Sequence, residues 1–213
     1  MKKLVDDLVS EGYLRSEFIQ EAFLKINRRD FVPPELEKAA DKNIALPIGW
    51  GVQIMQPQKA AFVLENLDLK KGHKILCLVS DSGWIPNLLA EIVGENGMVI
   101  VIDKISKLTE IAQENSRKYN HLKSGRIKFI FSEEMEGFSL EAPYDRIVSL
   151  VSFSEIPQNL KKQLKVNGKM MGLVKNHDIY VERKTREHFF EDEEIYLKNM
   201  KRRASKEIYS FNL

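Results

Sequence analysis

Polar residues and a glycine follow a strongly apolar segment of the chain. Residues 75–79 are apolar throughout, as in a buried strand, and Ser80, Asp81 and Gly83 come after them. Apolar residues then recur at helical spacing over residues 84–93. In an open α/β sheet, the turn between the first strand and its helix is where a nucleotide-like cofactor binds. The sequence therefore places a candidate cofactor site at this turn.

The cysteine and histidine content of the chain argues against disulfides and metal sites, and two common catalytic or phosphate-binding motifs are missing. Cys77 is the single cysteine, which excludes an internal disulfide framework and a cysteine-rich metal site. Its position inside an apolar strand predicts a buried structural thiol. The histidines stand on turns and polar stretches without metal-ligand spacing, so we expect no metal site: His73, His121, His177 and His188. The chain has neither a Gly-x-Ser-x-Gly motif nor a phosphate-binding P-loop.

The elements that would position this turn alternate regularly from residue 58 onward. Helices are predicted at 58–68, 84–93, 108–115 and 156–164, and strands at 75–79, 98–102, 127–131, 146–151 and 169–174. A closing antiparallel pair is predicted from residues 179–182 and a segment near 194–197. Strands that alternate with helices at this spacing predict an α/β fold with a doubly wound, mostly parallel sheet.

Two short amphipathic helices are predicted before this core, within residues 3–26. Their apolar stripes are Leu4, Val5, Leu8 and Val9, and then Phe18, Ile19, Ala22, Phe23 and Ile26. Pro33 and Pro34 end this region, and residues 45–57 follow as a predicted loop rich in Gly and Pro. The loop is unusually apolar, so it either folds onto the core or forms a wall of a ligand site.

Size and charge restrict the class of protein. A chain of 213 residues with a net charge of +2 can bury a full core and indicates no strong polyanion partner. No apolar run has the length of a membrane span, and Asp6, Asp7 and Glu11 interrupt any secretory apolar region. We therefore expect a soluble, cytoplasmic protein. The basic run at 198–206 leaves nucleic-acid contact open as a minor alternative.

Several segments together resemble the protein-L-isoaspartate O-methyltransferase family. They are Arg29-Asp30-Phe31-Val32-Pro33, Leu46-Pro47-Ile48-Gly49-Trp50-Gly51 with Gln56-Pro57, Ala142-Pro143-Tyr144-Asp145-Arg146-Ile147, Glu155-Ile156-Pro157 and Gln163-Leu164-Lys165-Val166-Asn167-Gly168-Lys169. The resemblance covers residues 4–175, and the Pro-Ile-Gly loop followed by Gln-Pro is its most specific part. It implies a Rossmann-like, seven-stranded sheet of the class I methyltransferase type with a helical N-terminal arm.

The resemblance also implies an activity and a domain organisation. Family members use S-adenosylmethionine to methylate isoaspartyl carboxylates in damaged proteins, and the ester then collapses to a succinimide that reopens partly as aspartate. The implied partner is a protein or peptide that contains isoaspartate, with no metal and no membrane, and the chain would act as a monomer. The implied parts are an arm and substrate loop at 1–57, a methyltransferase core at 58–197 and a basic segment at 198–213.

The sequence departs from the family at the cofactor turn. The family motif is an acidic residue followed by three spaced glycines, and these positions are Cys77, Val79, Asp81 and Gly83 here. Val79 places a branched Cβ where the cofactor would approach, and a positive φ would strain it. Asp81 tolerates the left-handed region better, but it adds a negative charge near the expected cofactor carboxylate.

The remaining cofactor residues are assigned by the same resemblance. Asp103 would accept hydrogen bonds from the ribose hydroxyls, and Glu133 would stand where a family aspartate faces the adenine. Gly83, Ser80 and Asp81 would complete the cofactor-binding set. Asp103 could instead be an acid that stabilises a helix N-terminus, and Glu133 could be a solvated turn residue.

The substrate loop departs from the family as well. The resemblance places Ile54, Met55, Gln56 and Pro57 along the substrate, with Met55 at the position of a family serine. A thioether cannot donate a hydrogen bond, so no catalytic residue is assigned. After the fourth strand, residues 149–152 are larger than the small residues of the family, although Ser149 and Ser152 keep hydroxyls.

Three hypotheses about function follow. The first is isoaspartyl carboxyl methylation with S-adenosylmethionine, with activity weakened by the changed motifs. The second is a non-catalytic binding protein that keeps the fold and has lost the cofactor site. The third is a methyltransferase with a changed substrate, such as RNA.

Overall fold

The computed structural model describes residues 1–79, 81–174, 178–186 and 189–192. The strands in this part of the chain are β1 Leu46–Gly49, β2 Val52–Ile54, β3 Lys74–Leu78, β4 Met98–Asp103, β5 Ile127–Phe131, β6 Tyr144–Phe153, β7 Leu164–Val174, β8 Asp178–Arg186 and β9 Phe189–Asp192. The α-helices are α1 Lys2–Ser10, α2 Glu17–Lys25, α3 Pro57–Asn66, α4 Trp84–Val93, α5 Ser106–Ser116, α6 Asn120–Lys123 and α7 Gln158–Gln163. Short 3-10 helices span Arg28–Phe31, Pro34–Ala39 and Ser139–Glu141.

A seven-stranded sheet forms the centre of the structure, in the order β5-β4-β3-β6-β7-β8-β9. The five strands from β5 to β7 pair in parallel, and β8 and β9 add an antiparallel end. The central strands β3 and β4 are buried on both faces, which explains their uninterrupted apolar sequences. The predicted doubly wound, mostly parallel, seven-stranded sheet is confirmed. The segment near 194–197 and the basic segment 198–213 lie outside the described residues.

The helical arm is joined to the sheet by apolar packing. Phe23 on α2 meets Trp84 on α4 edge to face, with ring centroids 5.6 Å apart, and both side chains are fully buried. The buried side chains of α1, α2 and α3 belong to the same hydrophobic core as those of α4. The arm and the sheet therefore share one core, which explains why the arm's short helices can be stable.

Two parts of the arm differ from the sequence prediction. Residues 45–57 are not simply a loop, because β1 and β2 form an antiparallel hairpin there. The inward side chains of the hairpin join the core, and this confirms that the segment folds onto it. Val9 and Phe18 were assigned to the apolar stripes, yet they are exposed because each lies at the edge of its helix's buried face.

The described part of the chain contains no helix that is long and apolar enough to cross a membrane. Across those same residues, no group of three or more His, Cys, Asp or Glu side chains is arranged to hold a metal ion. Cys77 is a buried free thiol in β3, as predicted, and its burial raises the pKa of the thiol.

His121 is buried, although the sequence placed it on a polar stretch. The Arg126 guanidinium donates to Nδ1 over 3.0 Å, so Nε2 carries the proton and faces the Glu91 carboxylate at 3.4 Å. Tyr119 stacks on the ring, with centroids 6.1 Å apart. Burial and then Arg126 lower the pKa of His121 to about 4, while Glu91 opposes the shift.

This environment predicts a specific loss of stability in acid. The unfolded chain protonates His121 near its ordinary pKa of about 6.5, whereas the folded chain protonates it only near pH 4. The free energy of unfolding therefore falls as the pH is lowered from about 6.5 to 4, by roughly 2–3 kcal/mol from this residue. Urea unfolding at a series of pH values should show this slope, and His121→Gln should flatten it. His73→Gln is the comparison: partial burial also lowers the pKa of His73, but less than that of His121, so His73→Gln should flatten the slope less, and an equal flattening would contradict the assignment.

Candidate active site

The candidate site lies at the carboxyl ends of β3, β4 and β6, where the strand order of the sheet reverses. Leu78, the last residue of β3, is flanked by Ile102 of β4 and Ser149 of β6. A crevice at such a reversal is the usual ligand site of an open α/β sheet. The turn after β3 and the end of β4 therefore meet at this point, as the sequence predicted. Ser80 lies outside the described residues.

Asp81 is buried and caps helix α4. Its Oδ1 accepts a hydrogen bond from the Ser82 backbone N–H over 2.7 Å, and its Oδ2 accepts one from the Ile85 N–H over 3.0 Å. Only 4% of its surface is exposed. Burial raises the pKa of Asp81, while these hydrogen bonds and the Arg28 charge lower it. The sequence suggested that Asp81 would disturb the turn, but its carboxylate is hydrogen-bonded to the backbone of that turn.

Val79 fits its position without backbone strain. In the described part of the chain, the non-glycine residues with positive φ are Trp50, Asp68 and Asn167, so neither Val79 nor Asp81 is left-handed. The expected strain at Val79 is therefore wrong. Its N–H continues the sheet pairing to the Ile102 carbonyl over 3.0 Å, and its side chain is buried in the core. The position that is glycine in the family has become part of the packed interior.

Gly83 is required for packing between helices as well as for the turn. Its φ is +105°, and a Cβ there would lie 3.0 Å from the Ala112 carbonyl oxygen of α5. The Gly83 carbonyl accepts from the Asn87 side-chain amide over 2.8 Å, and that amide also contacts Ser116 Oγ at 2.7 Å. The last glycine of the motif thus allows α4 and α5 to approach closely.

Asp103 lies at the end of β4 and is buried. Its Oδ1 accepts from the Ile105 N–H over 2.8 Å, which fixes the carboxylate across the bend that leads into α5. Ile105 is the N-cap residue of α5, so this contact is compatible with the helix-stabilising alternative as well as with the ribose role. Ser132 N–H donates to the Asp103 carbonyl, which brings the next loop beside it. Glu133 in that loop is exposed.

The proposed substrate residues differ in exposure. Ile54 is fully buried in the core, and Pro57 is the buried first residue of α3. Met55 and Gln56 between them are half-buried, and the Gln56 amide donates to the Asn43 carbonyl over 3.0 Å. On β6, buried Ser149 donates its hydroxyl to the Val151 carbonyl over 2.9 Å, whereas Ser152 is exposed.

Arg28 holds the segment that contains the hairpin, and no sequence pattern predicts this role. Its guanidinium is fully buried and donates to five backbone carbonyls of the segment that contains the hairpin: Ala40 at 3.1 Å, Lys42 at 3.4 Å, Ile44 at 2.9 Å, Ile54 at 3.5 Å and Met55 at 3.0 Å. It also stacks 5.1 Å from the Trp84 ring. Burial lowers the pKa of Arg28 to about 10, and Asp81 and Asp41 oppose the shift. No sequence signal distinguishes it from Arg29, which is exposed.

A second contact joins the arm to the cofactor turn. Ser82 Oγ donates to the Phe31 carbonyl over 2.5 Å, and the Asn115 amide of α5 donates to the Ser82 carbonyl over 3.0 Å. Ser82 is therefore held from the arm and from α5 at once. The turn, the hairpin and the arm form one connected structure around Arg28 and Ser82.

Comparison with known proteins gives a consistent result. The model of the family described as protein-L-isoaspartate(D-aspartate) O-methyltransferase (PCMT) matches residues 1–201. The protein-L-isoaspartate O-methyltransferase of Methanopyrus kandleri is 37% identical over 170 residues, which are 80% of this chain and 74% of that protein. The Hyperthermus butylicus enzyme of the same name is 37% identical over 177 residues, with 80% and 73% covered.

Solved structures with the same description have the same fold. One protein-L-isoaspartate O-methyltransferase superimposes with a TM-score of 0.75 and 25% identity over 86% of this chain, which spans only 60% of that protein. A Plasmodium falciparum protein, described as having the same activity and solved with S-adenosyl-L-homocysteine, gives a TM-score of 0.78 at 22% identity. That superposition covers 90% of this chain and 93% of the other.

The Gly83 geometry predicts a loss of stability on substitution. Gly83→Ala forces a left-handed alanine and a close contact with Ala112, so the free energy of unfolding should fall by roughly 2–4 kcal/mol. Gly51→Ala is the control, because Gly51 has φ +72° but open space around its Cβ, and we expect a loss of about 1 kcal/mol. Urea unfolding compares the two, and equal losses would mean that the α4–α5 approach contributes nothing.

The contacts of Arg28 predict that its loss destabilises the protein more than the loss of the adjacent Arg29. Arg28→Met deprives buried carbonyls of their donors, and the free energy of unfolding should fall by roughly 2–5 kcal/mol. Arg29→Met removes a neighbouring charge whose ion pair with Asp41, at 2.6 Å, is half exposed, and the loss of stability should be much smaller because solvent screens such a pair. Urea unfolding gives both values, and proteolysis should cut residues 40–55 faster in Arg28→Met alone. Similar losses for the two variants would contradict the conclusion that Arg28 stabilises residues 40–55.

Proposed function

The chain belongs to the protein-L-isoaspartate(D-aspartate) O-methyltransferase family, and we propose that it transfers a methyl group from S-adenosylmethionine to isoaspartyl carboxylates in damaged proteins. The family match over residues 1–201 supports this most strongly. The methyl ester then collapses to a succinimide, which reopens partly as aspartate. The reaction therefore begins the repair of the protein backbone.

The chemistry makes modest demands on the protein. S-adenosylmethionine supplies the methyl group as an electrophilic sulfonium. An isoaspartyl carboxylate is already ionised at pH 7, so the chain needs neither a general base nor a metal to generate the nucleophile. What the protein has to supply is alignment of the two reactants and exclusion of water. This suits a site in which no side chain has been assigned a catalytic proton transfer.

The residues at the strand-order reversal fit the nucleoside half of the cofactor. We assign the ribose hydroxyls to Asp103, because its buried carboxylate is an acceptor at the crevice and is fixed by the Ile105 N–H. Glu133 lies on the loop beside Asp103, and we assign it as the candidate contact of the adenine ring. The amino-acid half fits less well, because the buried Asp81 carboxylate occupies the N-terminus of α4.

The β1–β2 hairpin and the residues after it form the substrate side. Met55 and Gln56 are the half-buried members of the proposed substrate set, while Ile54 anchors the strand in the core. Arg28 binds the Met55 carbonyl at 3.0 Å, so the hairpin is positioned by a residue that also packs on Trp84 at the start of α4. Arg28 is thus a positioning residue between the two reactants.

We also assign the reaction to the cytoplasm and to a monomer. A single, buried, free cysteine is typical of a reducing compartment. We assign residues 58–197 to the methyltransferase core and residues 1–57 to the arm and substrate segment, since the arm contributes the hairpin. The substrate is a peptide or protein, and neither a membrane nor nucleic acid is part of this proposal.

Methyl transfer to a defined peptide tests the proposal. With labelled S-adenosylmethionine, an isoaspartyl peptide should accept methyl groups, and the same peptide with ordinary aspartate should not. Asp103→Asn should raise KM for S-adenosylmethionine by at least about tenfold, because a charge-assisted hydrogen bond is lost. KM for the peptide should stay within about threefold.

Two results would count against this proposal. Methyl transfer to an RNA pool but not to the isoaspartyl peptide would identify a different substrate. Binding of the peptide without any methyl transfer would identify a binding protein. Glu35→Gln is a suitable control for Asp103→Asn, because Glu35 is an exposed acid on the 3-10 helix Pro34–Ala39, in a different part of the chain.

A further inference from the structure

Trp50 stands at the tip of the β1–β2 hairpin with 53% of its surface exposed. Its φ is +52°, a left-handed conformation that a bulky side chain adopts only at a cost in free energy. A Cβ added at Gly49 or Gly51, on either side, would meet no other heavy atom within 4 Å, so the tip stands clear of its surroundings. A large ring that is both exposed and strained contributes little to folding, which indicates contact with another molecule.

Ile44 is a second exposed apolar side chain, at the other end of the hairpin. Arg28 Nη2 donates to the Ile44 carbonyl at 2.9 Å and to the Met55 carbonyl at 3.0 Å. Because one nitrogen binds both carbonyls, Ile44 and Met55 lie side by side. The Gln56 amide donates to the carbonyl of Asn43, the residue before Ile44. Ile44 therefore adjoins the half-buried residues that the proposed function places along the substrate.

The outer side of β1 joins these two ends of the hairpin. Leu46 and Ile48 are buried in the core, and Pro47 between them is exposed, as strand alternation requires. Ile44, Pro47 and Trp50 are thus exposed apolar residues at intervals of three along the chain, and we call them the apolar track. The track is at most about 20–22 Å long, because an extended chain advances about 3.3–3.6 Å per residue.

We propose that the apolar track binds the part of the substrate chain next to the isoaspartyl residue, as an extended segment. With the isoaspartate beside Met55, an apolar side chain about four to six residues away reaches Trp50. The inference rests on the proposed function, because it extends the substrate side of the same site. A folded protein buries most of its apolar side chains, so the track favours damaged residues that lie in unfolded segments.

Methyl transfer to a matched set of peptides tests the apolar track. Each peptide has one isoaspartate in a background of serine and glycine, and a single leucine stands at successive positions up to about eight residues away on either side. Leucine about four to six residues away on one side should raise kcat/KM at least about fivefold, mainly through KM, because its side chain is buried against Trp50. Trp50→Gly should reduce this ratio to within about twofold.

A control variant and a stability measurement separate binding from folding. Leu140→Ala removes another exposed apolar side chain, from the 3-10 helix before the amino end of β6, whereas the crevice lies at the carboxyl ends of the strands. It should leave the leucine ratio unchanged. Trp50→Gly should not lower the midpoint of urea unfolding, because glycine adopts this φ without strain and the lost ring is exposed. A lower midpoint with an unchanged leucine ratio would show that Trp50 serves the fold and would overturn the inference.

Fluorescence quenching detects contact with the peptide without turnover. The chain contains two tryptophans, and Trp84 is fully buried, so iodide should quench Trp50 alone. A saturating peptide with leucine about five residues to each side of the isoaspartate should at least halve the quenching constant. Trp50→Phe should show little quenching with or without the peptide, which assigns the signal. Unchanged quenching of Trp50 at saturating peptide would overturn the inference.

The outcome is separable from that of the methylation assay. Methylation of isoaspartyl peptides without a leucine preference and without protection of Trp50 would support the proposed function and reject the apolar track. Protection of Trp50 by the peptide without methylation would support the track as a peptide-binding surface and reject the proposed function. Self-association that Trp50→Gly abolishes, measured by sedimentation, would assign the hairpin tip to a second copy of the chain and overturn the inference.

Discussion

The buried Arg28 guanidinium is the interaction on which the rest of the site depends. Five backbone carbonyls of residues 40–55 accept from it, and its other face packs on Trp84 at the start of α4. A buried cation is costly unless hydrogen bonds satisfy it, so the segment has to keep the conformation that places those carbonyls around it. One side chain thereby fixes the hairpin relative to the cofactor turn.

The turn itself is built on a related constraint. Asp81 is a buried carboxylate, and it is tolerated because backbone N–H groups of its own helix terminus hold it. A glycine at that position would leave those donors for a ligand. Val79 and Asp81 have therefore converted an open, glycine-lined turn into a packed one that is satisfied internally, while Asp103 beside it keeps its place at the end of β4.

Prediction from sequence succeeded best where local pattern and tertiary environment agree. The helix at 84–93 and the strand at 127–131 have the predicted bounds, because their apolar periodicity reflects full burial. The hairpin at β1–β2 was missed, since its strands are three or four residues long and their Gly and Pro content is typical of loops. His121 was also misplaced, because polar neighbours along the chain concealed its burial on α6 against α4.

The sequence by itself determined the fold class, the family resemblance and the location of the site in the fold, because buried parallel strands and their connecting turns are encoded in local apolar runs. It also identified the changed residues of the turn. Only the tertiary structure decided what those residues do. Whether Asp81 faces a ligand or caps a helix, and which of two adjacent arginines is buried, depends on backbone groups that come together from segments far apart in the chain. Packing fixes the positions of these backbone groups, and no local sequence pattern encodes them.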